Sequence, residues 1–169
     1  MNSANMQRLI NSPWDDSIHP VILIVEDSDE DFYAFLRATK QLNFLSQSSY
    51  RFFRVQDGDE ALDYLFRQGE YEELESPDPV AILLDLNLPG TDGREVIEEI
   101  KQSPKLKMIP IIVLTTSSNP QDIEVCYRNG ANSYLLKPMG SSEMQQTVQM
   151  LFKYWFDFSI LPSYAQLNP

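Results

Sequence analysis

The chain has 169 residues, 43% hydrophobic and 22% charged, the length and balance of one globular domain with a sizeable core. Its formal net charge of −12 argues against nucleic acid as a main partner, because phosphate backbones recruit Lys and Arg. A single cysteine, Cys126, excludes an internal disulfide, and no apolar run approaches the roughly 20 residues of a membrane span, so a cytoplasmic protein without a membrane anchor is expected.

The first 20 residues are polar and broken by Pro13 and Pro20, and read as an extension outside the core. Val21–Val25 (VILIV) is a continuous apolar run suited to a strand buried on both faces. Ser28-Asp29-Glu30-Asp31 then opens a helix carrying Phe32, Phe35, Leu36 and Leu42, and Asp29, Glu30 and Asp31 read as a solvated first turn favoured by the helix dipole. Residues 50–55 predict a weaker strand. Asp57-Gly58-Asp59 starts a helix with Ala61, Leu62, Leu65 and Phe66, and an acidic loop follows over residues 68–79. Val80–Leu84 predicts a second strongly buried strand ending at Asp85, followed by a helix over 92–102. Pro110–Thr115 predicts another buried strand. Asn119-Pro120 and Asn129-Gly130 bracket the next helix. Residues 132–136 predict the last strand, and a final helix spans about 141–157, leaving 158–169 as a tail.

Five strand–helix units predict an α/β domain of the doubly wound class: a five-stranded parallel sheet with helices on both faces. Ligands in such folds bind beyond the carboxyl ends of the strands. The groups standing there are Glu26-Asp27 after the first strand, Asp85 after the third, Thr115-Thr116 at the fourth and Lys137-Pro138 after the fifth. In the usual strand order three carboxylates, a hydroxyl and an ammonium meet in one crevice. Carboxylates this close need a compensating cation, and hard oxygen donors suit Mg²⁺ (or Mn²⁺). A carboxylate can also attack a phosphoryl group, with a lysine and a metal stabilising the charge. Any one of these residues alone reads as a turn, strand or surface residue; the four positions together carry the inference.

VILIVEDSDED, LLDLNLPGTDG, IPIIVLTTSS and GANSYLLKP, in this order and spacing, resemble the receiver domains of two-component response regulators. The likeness covers about residues 20–157 and implies a receiver domain over 21–157 with the flavodoxin-like strand order 2-1-3-4-5. It implies that Asp85 is the phosphoacceptor, that Asp27 touches the metal directly and Glu26 through water, and that Asn87 offers its backbone carbonyl. It further implies that Lys137 is the site lysine, Thr115 and Tyr134 the switch pair, and Lys137–Pro138 a cis bond. Pro89 and Gly93 fit the loop after the phosphoacceptor. Thr116 and Ser117 depart from the commoner residues at the phosphate entrance, which bears on the dephosphorylation rate. DLNLPGTDGREV, LTTSSN and RQGEYEE are similar to the small regulators that serve phytochrome-type histidine kinases. The likeness thus implies a signalling switch rather than a classical enzyme. It implies a sensor histidine kinase as partner, with a phytochrome as the candidate. With no effector domain after residue 169, output by contact is expected.

Two other classes share parts of the pattern. A phosphatase of the haloacid-dehalogenase type needs a second Asp where this chain has Asn87, and a flavodoxin needs a phosphate-cradling loop where this chain has the acidic EDSDED. On the last helix Met144, Val148, Leu151 and Trp155, with Phe158 beyond, predict a core-facing stripe. Phe152, Tyr154 and Phe156 fall off it, leaving apolar surface that either the tail FSILPSYAQLNP folds back to cover or a second copy covers; the likeness to the phytochrome-associated regulators favours a homodimer through this end of the chain.

Overall fold

The apolar runs become strands wherever a β-branched or aliphatic stretch can be covered on both sides. In the computed structural model, which describes residues 20–40 and 50–162, they are β1 (Val21–Val25), β2 (Arg51–Val55), β3 (Ala81–Leu84), β4 (Ile111–Thr115) and β5 (Ser133–Leu136). All neighbours pair in parallel, in the order β2-β1-β3-β4-β5. The helices are α1 (Asp29–Lys40), α2 (Gly58–Phe66), α3 (Gly93–Gln102), α4 (Pro120–Arg128) and α5 (Ser141–Phe152). A short 3-10 turn, Gly69–Tyr71, lies within the acidic loop. The expected extension, apart from Pro20, and the tail beyond residue 162 lie outside the described residues.

Side chains along a strand alternate between faces, and this divides the core in two. Val21, Leu23, Val25, Ile82, Leu84, Ile111 and Val113 pack with Ala61, Tyr64, Leu65, Val96, Ile97, Ile100 and Cys126 from α2, α3 and α4. Ile22, Ile24, Ala81, Leu83, Ile112 and Leu114 face Phe32, Phe35 and Leu36 of α1 and Met144, Val148, Leu151 and Phe152 of α5. Helices therefore cover both faces, as a fully parallel sheet requires. Cys126 is a buried free thiol whose burial pushes it up to about 11, so it stays protonated and unreactive. Among the described residues no helix is long and apolar enough to cross a membrane.

The helix starts obey the expected chemistry. Ser28 Oγ accepts from the Asp31 N–H at 3.2 Å, and the Asn119 side chain accepts from the Gln121 N–H at 3.0 Å with Pro120 in the first turn. Gly130, at φ 102°, ends α4.

Two expectations are corrected. The Lys137–Pro138 bond is trans, since there is no cis peptide among the described residues. The two forms of an X–Pro bond differ by only about 0.5–1 kcal/mol, and the trans chain already brings Lys137 Nζ to 2.6 Å from Asp85. The second correction concerns the last helix. Met144, Val148 and Leu151 are buried as expected, and Trp155 is half-buried, but Phe152 is fully buried and Phe156 half-buried. Phe158 is exposed. Phe152 lies in α5, four residues after the buried Val148 and so on the same helical face; beyond it the helix type changes, and Lys153–Phe158 is a π-helix, closed by Ser159 N–H donating to Tyr154 O at 2.9 Å. Its wider turn shifts the phase of every later side chain.

The loop after β3 is docked on the start of α2. A Cβ on Gly58 would lie 1.9 Å from the Thr91 carbonyl oxygen, and the Thr91 hydroxyl donates to Asp59. Gly58→Ala should therefore push that loop off the start of α2 and lower stability by about 1–3 kcal/mol. Denaturant unfolding checks this, and an unchanged midpoint contradicts the docking.

Candidate functional site

Three strands deliver charged groups to one crevice at their carboxyl ends, as the fold class demands. Glu26 follows β1, Asp85 follows β3 and Lys137 follows β5; all three are buried. Lys137 Nζ lies 2.6 Å from Glu26 Oε2, 2.6 Å from Asp85 Oδ2 and 2.7 Å from Asp31 Oδ2. Asp85 Oδ1 accepts from the Leu86 N–H at 2.6 Å and from the Asn87 N–H at 3.3 Å. Thr115 is fully buried at the end of β4 and helps hold the Asp85 carboxylate.

The electrostatics follow from burial. Burial alone raises the Asp85 carboxyl, but hydrogen bonds from Lys137 and Thr115, the Lys137 charge and the Asn87 N–H outweigh it, so Asp85 lies below its usual range and is ionised. Glu26 behaves oppositely. Burial pushes it up to about 7 in spite of Lys137, with Asp85 adding repulsion. Lys137 is held above the usual lysine range: burial lowers it, and hydrogen bonds to Asp31, Asp85 and Glu26 more than compensate.

The expected convergence is present with one exchange of acids. Glu26, Asp85, Thr115 and Lys137 meet as read from the sequence. The third carboxylate in the cluster is Asp31, not Asp27: Glu26, Asp31 and Asp85 each place an oxygen within 4.8 Å of the others. Asp27 is exposed at the edge of this group, and Asn87 is exposed in the loop after β3. The reading of Asp31 as a solvated first-turn residue is thereby corrected. Helical side chains tilt toward the N-terminus, and that end of α1 opens onto the crevice, a direction that could have singled out Asp31. The donors are hard oxygens, two of them buried, and three carboxylates share one ammonium. That excess of negative charge and that donor type fit a small divalent cation.

Sequence reading also missed a clasp beside Thr115. The Arg94 guanidinium on α3 bonds Asp122 on α4 through Nε at 3.1 Å and Nη2 at 2.9 Å, and Asp92 at 2.6 Å. Asp122 accepts from the Ser117 hydroxyl at 2.5 Å. Ser117 in turn donates its N–H to Thr115 Oγ1 at 3.4 Å and accepts at its carbonyl from the Tyr134 hydroxyl at 2.9 Å. Thr115 and Tyr134, expected as a switch pair, are thus joined through one residue.

A sheet of this order with an ionised aspartate, a lysine and an acidic cluster at its carboxyl end defines a receiver domain, and the response regulator receiver domain family matches residues 22–149; the chain belongs to that family. Among relatives it is 43% identical over 143 residues to the response regulator Rcp1 of Synechocystis sp., covering 85% of this chain and 93% of that one. The crystal structure of Mn²⁺-bound Rcp1 superposes with TM-score 0.77 at 42% identity, covering 85% of this chain and 99% of the other. The phosphorylated cyanobacterial phytochrome response regulator RcpA gives TM-score 0.78 at 39% identity over 86% of this chain and 99% of the other.

Proposed function

We propose that the receiver unit, residues 21–157, takes a phosphoryl group onto Asp85 from a sensor histidine kinase of the phytochrome type, with Mg²⁺ or Mn²⁺ as cofactor. The observation that carries this reading is the ionised, buried Asp85 carboxylate gripped by Lys137 at 2.6 Å among further acids. The kinase class rests on the likeness to Rcp1 and RcpA, the latter a phytochrome response regulator.

An Asp85 oxygen forms the bond to phosphorus as the phosphorus–nitrogen bond of the kinase's phosphohistidine breaks, the electron pair staying on the imidazole. Lys137 stabilises the charge on Asp85 before transfer and on the phosphoryl oxygens after it. Glu26, Asp27 and Asp85, with Asp31 beside them and the Asn87 carbonyl, would hold the cation, which supplies neutralisation of phosphoryl charge when bound. Incubation with acetyl phosphate and Mg²⁺ tests the reading: one hydroxylamine-labile phosphoryl group per chain is expected, and none contradicts it. Transfer from a candidate phytochrome kinase tests the partner.

On this reading the Thr115 hydroxyl donates to the new phosphoryl oxygens, which draws it away from Ser117. That movement frees the Ser117 carbonyl's partner, Tyr134, to turn. Phosphate acts only through its differential affinity for the two arrangements. Thr115→Ala should therefore still be phosphorylated but show little or none of the wild-type change in amide NMR shifts around Ser117 and Tyr134. A full wild-type response in the variant contradicts the coupling.

The same reading includes a cytoplasmic protein that forms a homodimer through the end of the chain. Met150, Tyr154 and Phe158, exposed to 71%, 60% and 72%, recur every fourth residue there, and Ile160 is 99% exposed. Exposed apolar side chains gathered in one place mark an association surface, and a two-fold contact uses the same patch on both copies.

A further inference from the structure

Arg54 is an anomaly: a guanidinium at the buried end of an edge strand, facing the most acidic stretch of the chain. Its residue is only 9% exposed. Nε donates to the Glu26 carbonyl oxygen at 2.9 Å, Nη2 to the Asp27 carbonyl oxygen at 3.0 Å and Nη1 to Asp29 Oδ1 at 2.6 Å. Its planar group also lies over the Phe32 ring, 4.5 Å from the centroid. A single rigid fork therefore holds two consecutive carbonyls, those of the acidic pair, and ties them to the first turn of α1.

Residues 26 to 28 lie between the end of β1 and the start of α1, and the sheet and the helix reach only their two ends, through the Glu26 N–H and the Ser28 carbonyl that accepts from the Phe32 N–H at 3.0 Å. Five acids stand among residues 26–31, and their repulsion favours splaying. Beyond Arg54, the Glu26 N–H is held by the Val55 carbonyl at 3.0 Å and the Ser28 N–H by Glu26 Oε1 at 3.2 Å. The two carbonyls belong to the two peptides on either side of Asp27, so fixing both sets the backbone torsions of residue 27 and the direction of its side chain relative to Glu26.

We propose that Arg54 is a positioning residue for the cation site, preorganising Glu26 and Asp27 through their backbone carbonyls; this rests on the reading that those acids and Asp85 hold the metal. Two effects of Arg54 on a divalent cation have opposite signs. As a nearby positive charge it weakens binding, and removing it should tighten the site. As a fork that sets ligand geometry it strengthens binding, and removing it should loosen the site. Second-layer partners of metal ligands cost about 10- to 100-fold in affinity when removed, more than a screened charge at this distance returns.

The experiment is Mn²⁺ titration of the full chain followed by the electron paramagnetic resonance of the free ion, on wild type, Arg54→Met, Arg54→Lys and Asp85→Asn. Arg54→Met is expected to bind roughly 10-fold more weakly. Arg54→Lys keeps the charge and loses the fork, so it should also bind more weakly. With acetyl phosphate, both should be slow at low Mg²⁺ and approach the wild-type rate at saturating Mg²⁺, a split that mere loss of folded protein does not give. Arg54→Met binding as tightly as wild type, or more tightly, overturns the proposal. If Arg54→Met does not fold, wild-type affinity in Arg54→Lys overturns it. Wild-type Mn²⁺ binding in Asp85→Asn overturns the underlying site reading instead, so the two failures are separable.

Discussion

Asp85→Asn protein incubated with acetyl phosphate and Mg²⁺ is expected to take up no phosphoryl group, where wild type takes up one per chain. The substitution keeps the side chain's size and the acceptor at Oδ1, so the Leu86 and Asn87 N–H groups retain their partner. What disappears is the negative charge that Lys137 meets at 2.6 Å and the nucleophile itself. Other acids do not substitute. Glu26 is pushed up to about 7 by burial, so much of it is protonated near neutrality and a poor nucleophile. Asp31 stands on the helix rather than at the central strand end. The variant should remain folded, because Lys137 keeps Glu26 and Asp31 as partners. Intact-protein mass spectrometry reads the result directly. Equal labelling of wild type and variant moves the acceptor elsewhere, and mapping the labelled peptide then names it.

The strands and the groups at their ends were legible because they rest on local patterns, while the strand order came from the likeness to receiver domains. VILIV, AILL and IIVLT are apolar on both faces and could only lie inside a sheet, and Glu26, Asp85, Thr115 and Lys137 each mark a strand's end. What was not legible depends on direction or on partners remote in sequence. Asp31 reads like Asp29 and Glu30 in a string of letters, yet it alone of the three meets Lys137, 106 residues away. Arg54 looks like an edge-strand surface charge until β1 and β2 are paired in register, with Ile24 opposite Arg54. The clasp of Arg94, Asp122 and Ser117 joins two helices and a loop that no spacing rule connects. The last helix misled for two other reasons: Phe152 shares the face of Val148 four residues before it, and beyond Phe152 an α-helical period was extended across residues that wind as a π-helix.

These differences at the last helix reverse which aromatic should matter for folding and which for association. Phe152→Glu is expected to yield unfolded or aggregated protein, whereas Tyr154→Glu with Phe158→Glu is expected to stay folded and turn a dimer into a monomer. Phe152 is fully buried, with ring centroids 6.2 Å from Phe35 of α1, 6.0 Å from Phe52 of β2 and 5.0 Å from Phe156. It thus joins α5 to α1 and to the edge strand in one aromatic cluster. Removing such a ring costs about 3–5 kcal/mol, and burying a carboxylate in its place adds several more. A domain of this size has a total stability of about 5–15 kcal/mol, so the first variant has little left. Tyr154 and Phe158 make no comparable burial, and charge there costs the monomer little. At a two-fold contact each glutamate acts twice and faces its own copy's acids across a chain of net charge −12. Sedimentation velocity separates the outcomes, with circular dichroism reporting the fold and acetyl phosphate labelling reporting Asp85. A wild type that sediments as a monomer at high micromolar concentration, with and without phosphodonor, removes the dimer. A folded Phe152→Glu chain removes the aromatic cluster as the anchor of α5.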